Sequence, residues 1–120
     1  MYLFSFEKLK VWKCSIDLTK SIYELTNRFP ENEKFGLVSQ LRRASVSVAS
    51  NLAEGTSRNT NKDKAHFTTM AYSSLMEVLN QLIISKELNF IAEDNYIDLR
   101  EYISEISNML NALRKSQLKQ

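Results

Sequence analysis

Apolar residues recur along most of this chain at the three- and four-residue spacing that gives a helix one buried face. Four segments show this spacing, at about residues 7–28, 33–54, 61–88 and 93–115. The breaks between them fall at Pro30, at 55–61 and at 89–94, where polar and turn-forming residues collect. The pattern therefore predicts four long helices joined by short connections.

Turn-forming residues are otherwise scarce, with two glycines and one proline in 120 residues. A chain with so few turn formers does not build many short strands, so we expect an all-α protein. Short connections make neighbouring helices antiparallel, which predicts a single domain over 1–120 folded as an up-and-down four-helix bundle. Gly55 stands where a left-handed residue is expected to end the second helix, and Thr60 or Asn61 can cap the third.

The second helix carries more apolar surface than one buried face needs. Its expected core stripe consists of Leu37, Leu41, Val48 and Leu52. A second stripe lies beside it, with Arg42 in its middle. Either this helix is buried among its three neighbours, or the second stripe packs on another subunit. In the second case, residues of the third helix that extend its apolar face add to the same contact. The candidate interface is then Val38, Arg42, Val46, Ala49, Ala53, Tyr72 and Met76.

Polar residues flank the predicted core faces of the second and third helices. Glu77 lies at the edge of the apolar stripe of the third helix, and Asn51 flanks that of the second. A partly buried carboxylate needs a partner, because burial removes its hydration. We therefore expect Asn51, Glu77 and Gln40 to form a structural polar network and not a catalytic site.

The 16 basic and 14 acidic residues give a net charge of +2, which alone does not indicate nucleic-acid binding. Their placement says more, because an antiparallel bundle brings the start of the first helix, the second connection and the end of the fourth helix to one end. The candidate nucleic-acid-binding residues there are Lys8, Lys10, Lys13, Arg58, Lys62, Lys64, Arg114 and Lys115. With Lys119 they form a set that we call the basic pole. Either these are ordinary solvating charges, or they hold a phosphate backbone without reading bases.

Residues for catalysis are sparse. His66 has no second histidine beside it, and Cys14 lies on an apolar stripe, as a small core residue does. We expect no enzymatic activity, no metal and no cofactor. The first six residues are too short for a signal peptide, and no apolar run reaches the ~18 residues of a membrane span, so we expect a cytoplasmic protein that does not enter membranes.

Four stretches carry a resemblance to a known family. They read FEKLKVWK at 6–13, GLVSQLRRASVSVASNLAEGTSR at 36–58, SLMEVLNQL at 74–82 and ISEISNMLNALRKS at 103–116. Together they resemble the bacterial four-helix bundle protein family, which is named for members encoded in intervening sequences of 23S ribosomal RNA genes. One departure is Ala49, where members of the family often carry proline.

The resemblance implies an up-and-down four-helix bundle that assembles as a closed ring, commonly a pentamer, and it implies no reaction. A more distant similarity is to the accessory proteins of diversity-generating retroelements, which are basic pentameric bundles that bind nucleic acid and a reverse transcriptase. We therefore expect a non-enzymatic homo-oligomer that binds RNA or DNA without sequence preference. The alternative is an oligomeric scaffold for a protein partner, without nucleic-acid binding.

Overall fold

The computed structural model describes residues 1–119. Four helices make up most of the chain: α1 (Lys10–Thr26), α2 (Leu37–Thr56), α3 (Asn61–Glu87) and α4 (Glu93–Leu118). Two short 3-10 turns precede α1 and α2, at Ser5–Lys8 and Glu31–Glu33, and no strand occurs among the described residues. The prediction of an all-α chain with four long helices is confirmed.

Hydrogen bonds between side chains show that α2 and α3 run antiparallel. Between α2 and α3, Gln81 Nε2 donates to Gln40 Oε1 at 3.3 Å, and the hydroxyls of Ser47 and Ser74 lie 2.8 Å apart. The residue number rises along α2 as it falls along α3, as in an up-and-down bundle. The molecule is a rod of about 46 × 28 × 22 Å.

The core lies along the axis of this rod and is almost entirely aliphatic. Its largest fully buried side chains are Leu18, Ile22, Leu41, Leu75, Leu82, Ile103, Ile106 and Leu110, and Val48 and Val78 join them. Each fully buried side chain of this size contributes roughly 1.5–3 kcal/mol through removal from water. Of the core stripe predicted on α2, Leu41, Val48 and Leu52 are buried, and Leu37 packs against the core while partly exposed.

Two helices begin later than their apolar patterns indicate, and a glutamate before each of them accepts a hydrogen bond from a backbone N–H. Glu7 accepts a hydrogen bond from the backbone N–H of Phe4 at 3.0 Å, and Leu9 is extended before α1 begins. Glu33 accepts from the N–H of Leu37 at 3.2 Å, which satisfies one free donor in the first turn of α2. The predicted cap of α3 is confirmed at Thr60, whose Oγ1 accepts from the N–H of Asp63 at 3.1 Å.

The prediction that Gly55 ends α2 as a left-handed residue is wrong. α2 continues through Gly55 to Thr56, and no glycine has a positive φ. Gly55 is buried, and a Cβ built on it would lie 2.9 Å from Cβ of Phe67 on α3. The glycine therefore allows α2 and α3 to approach closely. The left-handed residue is Asn89, with φ of 63°, which follows α3.

Replacing Gly55 with alanine is expected to destabilise the fold by about 1–3 kcal/mol, because the added methyl meets a Cβ and not a flexible side-chain end. Chemical denaturation measures the loss. Ser50→Ala, at an exposed position of the same helix, is the control and is expected to change stability by less than about 0.5 kcal/mol. If both variants are as stable as the parent, the close approach at Gly55 carries no steric constraint.

Tyr102 connects α4 to α1. Its hydroxyl donates to the backbone carbonyl of Cys14 at 3.1 Å. Burial, together with the neighbouring Cys14 side chain, raises the pKa of Tyr102 above its ordinary value, so the neutral phenol is the form that the fold holds. The contact fixes the first half of α1, whose first turn carries Lys10 and Lys13 of the basic pole, against α4.

Candidate nucleic-acid interface

The segments that carry the basic pole meet at one end of the rod. Thr68 Oγ1, near the start of α3, donates to Gln117 Oε1 near the end of α4 at 2.7 Å. A cleft of about 300 Å³ opens between the same segments. Its lining residues are Ser5, Leu9, Thr56, Asn61, Lys64, Leu113, Ser116 and Gln117. The start of α1, the connection between α2 and α3, and the end of α4 are thus neighbours, as the antiparallel order predicts.

The side chains of the basic pole face solvent, except for Lys64, which is half-buried. Two of them are held by neutral groups. The Arg58 guanidinium lies over the ring of Phe67, 4.5 Å from its centroid, and Arg114 Nε donates to Thr69 Oγ1 at 2.8 Å. Both contacts position a guanidinium and leave its charge uncompensated.

Acidic residues neutralise little of this charge. Only Glu7, Glu54 and Asp63 lie in the same segments as the nine basic residues. The ion pairs within residues 1–119 lie at the other end of the rod, where Lys86 is 4.0 Å from Glu87 and 3.5 Å from Glu93. The basic pole is therefore a surface of unpaired positive charge.

Residues 7–112 match the family model described as 23S rRNA-intervening sequence protein. The chain belongs to this family. A crystal structure of an S23 ribosomal protein family member of unknown function from Bacteroides thetaiotaomicron aligns with a TM-score of 0.78 and 19% identity, over 88% of this chain and 98% of that one. At this identity the likeness concerns the fold alone. Comparison with curated proteins finds no match.

The stripe predicted as a subunit seam contains both buried and exposed residues. Val38 and Ala49 are each only 7% exposed within the single chain, so they have almost no surface left to give to another subunit. Val38, near the start of α2, lines a cavity together with Phe29 and Pro30 of the first connection. Val46 is 42% exposed and Ala53 is half-buried, so these two residues keep surface that a second copy could cover.

Arg42 is bound within its own chain. Its Nε donates to Thr26 Oγ1 at 2.9 Å, and its Nη2 donates to Asn27 Oδ1 at 2.9 Å. The guanidinium also lies over the ring of Tyr23, 4.5 Å from the centroid. The structure thus corrects the prediction that Arg42 reaches for another subunit, because these bonds attach the start of α2 to the end of α1.

Tyr72 and Met76 lie away from the rest of the predicted seam. Tyr72 lines a groove between α3 and α4 with Leu110 and Arg114, and Met76 packs against the core from α3. Arg42, by contrast, faces α1. The seven residues of the predicted seam therefore do not form one surface on the chain.

The three residues of the predicted polar network form no hydrogen bond with one another among the described residues. Asn51 Nδ2 donates to the carbonyl of Ser47 at 2.9 Å and to its hydroxyl at 3.1 Å, and that hydroxyl meets Ser74. Gln40 pairs with the buried Gln81 instead. The prediction for Glu77 is wrong, because its side chain is exposed and forms no hydrogen bond or ion pair with a described residue.

Sequence reasoning missed two contacts of this family member. The stack of Tyr23 under Arg42 has no local signal, since the two residues lie on different helices. The bond from Tyr102 to Cys14 has none either, because the residues are 88 positions apart. Among residues 1–119, no group of three His, Cys, Asp or Glu side chains could hold a metal ion, and none of the helices described is long and apolar enough to cross a membrane.

Proposed function

We propose that this protein is a non-enzymatic homo-oligomer that binds RNA or DNA through its basic pole, without reading base sequence. The observation that carries the proposal is the convergence of nine basic side chains on one end of the rod, where no ion pair with a residue among 1–119 neutralises them. A phosphate backbone offers the complementary charge at regular spacing, and it releases counterions when lysine and arginine replace them.

The chemistry of the basic pole favours contact with phosphates over contact with base edges. Most of its members are lysines, which act as mobile point charges on flexible stems. Arg58 and Arg114 are positioned by Phe67 and Thr69 at the surface of the rod. Lysines on flexible stems favour many backbone registers equally. Sequence-independent binding follows from this arrangement.

The oligomer that we propose is a closed ring, and we propose five subunits because the family resemblance implies a pentamer. The surface that we propose for the subunit contact consists of exposed residues of α1 and α2, where Tyr23 and Val46 are each 42% exposed. Ala53 continues this surface towards the basic pole, being half-buried seven positions after Val46. In a cyclic ring with parallel subunit axes, all basic poles would lie on one face and act together on one polyanion.

A salt titration tests the proposal. Affinity for a labelled structured RNA is expected to fall steeply between about 50 and 200 mM salt, with a slope of log K against log salt of about −3 or steeper, because each neutralised phosphate contributes about −0.7 to −0.9. Fluorescence anisotropy measures the affinity at each salt concentration. Absence of binding at low salt, or binding that salt does not weaken, would contradict the proposal and favour the scaffold for a protein partner.

A further inference from the structure

Four aromatic residues form a continuous row beside the basic pole. The rings of Tyr2 and Phe4 meet edge to face at 5.1 Å, those of Phe4 and Phe6 stack at 6.4 Å with 14° between their planes, and Phe6 meets Trp12 at 5.2 Å. Only the last ring packs against the core. Tyr2 is 77% exposed and Phe4 is 59% exposed, so the row ends in two rings that face water.

The backbone under this row is held in place. The N–H of Phe4 donates to a carboxylate oxygen of Glu7 at 3.0 Å, and the N–H of Glu7 donates back to the carbonyl of Phe4 at 3.0 Å. The N–H of Leu9 then donates to the carbonyl of Phe6 at 3.1 Å, which closes the turn before α1. The exposed ring of Phe4 lies on this hydrogen-bonded turn and loses less conformational freedom on binding than a ring on a free segment would lose, and the ring of Tyr2 contacts it.

The charge around the row identifies the kind of occupant. Lys8, Lys10 and Lys13 follow the rings directly in the chain, and each is exposed. Flat apolar rings beside unpaired cations match the bases and phosphates of a single strand, whose bases are free to stack. In a duplex the bases are already stacked on each other, so the rings of the row have no base face to cover.

We propose that the exposed rings of Tyr2 and Phe4 form a stacking platform, which makes the basic pole prefer single-stranded over double-stranded nucleic acid. The inference rests on the proposed function, because the lysines supply the phosphate contacts that bring a strand to the rings. Tyr2 and Phe4 precede residues 7–112, so the platform lies outside the stretch that matches the family model.

The test compares two RNAs of equal length, one an unstructured oligouridine and the other a perfect duplex, at the same salt concentration. The parent protein is expected to bind the single strand more tightly. Replacing Tyr2 and Phe4 together with leucine keeps apolar side chains but removes both rings. This variant is expected to bind oligouridine at least about 10-fold more weakly, since each base stacked on an aromatic ring contributes substantially to affinity. Its affinity for the duplex and its salt slope are expected to stay as in the parent.

Phe35→Leu is the matched control, because Phe35 is 89% exposed in the connection at the opposite end of the rod. It is expected to change neither affinity. Trp12 provides a second readout, since it is the only tryptophan of the chain and its ring contacts Phe6. Oligouridine is expected to change its fluorescence in the parent and not in the leucine variant.

Three results would overturn this inference. An unchanged affinity of the leucine variant for oligouridine would show that the rings take no part. An equal loss on the duplex would show that they do not distinguish strands. A fall in the mass of the leucine variant in solution would show that the rings pack on a second copy of the chain. In each case the parent's salt-dependent binding would still support the proposed function, whereas failure of the parent to bind either RNA would reject both.

Discussion

Replacing Lys8, Lys10 and Lys13 together with glutamate is expected to weaken RNA binding roughly 100- to 1,000-fold at about 0.1 M salt. The estimate follows from counterion release, in which each lost phosphate contact removes close to one decade of affinity at that concentration. The slope of log K against log salt is expected to become shallower by about two to three. Fluorescence anisotropy across salt concentrations gives both numbers from one series.

Folding is expected to survive these substitutions. All three lysines are exposed, and none forms an ion pair with a described acidic residue. Lys10 and Lys13 lie in the first turn of α1, where glutamate interacts favourably with the positive end of the helix macrodipole. Circular dichroism and the unfolding midpoint are therefore expected to match those of the parent within experimental error.

The matched control reverses Lys20, Arg28 and Lys34, which changes the net charge by the same amount away from the basic pole. Arg28 and Lys34 lie at the other end of the rod, and Lys20 is exposed in the second half of α1. This variant is expected to lose less than about 10-fold in affinity, since the charges lie beyond about one Debye length from the bound strand. If both triple variants lose affinity equally, the binding depends on overall charge and the basic pole is not the site.

The fold could be predicted because the buried face of each helix is set by residues close together in the sequence. The spacing of Leu41, Val48 and Leu52 defines a buried face without knowledge of any partner, and the short connections leave antiparallel packing as the simple solution. The grouping of the basic pole follows from that topology alone. No side-chain contact had to be known to bring Lys8 and Arg114 to the same end.

The details that failed depend on how closely helices approach. Gly55 is compatible with a helix end and with a close helix contact, and only the position of Phe67 distinguishes them. Val38 and Ala49 are covered because the chain's own neighbouring segments reach further around α2 than a single stripe indicates. Glu77 lay near the edge of a predicted face, and a small difference in the rotation of α3 places it in water.

The subunit contact that we propose lies on a surface that can be changed without disturbing the core. Val46→Glu is expected to dissociate the oligomer into monomers of about 13.9 kDa. In a ring, each copy of the interface would receive a carboxylate that is removed from water and unpaired, which costs several kcal/mol per contact. Because Val46 is 42% exposed in the single chain, the fold itself is expected to change in stability by less than about 0.5 kcal/mol.

Ser104→Glu is the control, since Ser104 is exposed on α4, on the side of that helix away from the buried Ile103 and Ile106. Light scattering after size exclusion is expected to give the parent mass for this variant and the monomer mass for Val46→Glu. A parent that is itself monomeric at micromolar concentration would reject the ring. An unchanged mass for Val46→Glu would place the subunit contact away from Val46 and its exposed neighbours on α1 and α2.

Assembly and binding are coupled if the ring gathers the basic poles on one face. The Val46→Glu monomer is then expected to bind a long RNA about 100-fold or more weakly than the parent, because contacts that had been made together must now be made singly. A short RNA that spans one basic pole is expected to bind both forms with similar affinity, since Val46 lies outside that pole. Equal affinity of monomer and oligomer for the long RNA would mean that each subunit binds alone, and that the subunit axes do not place the poles on a common face.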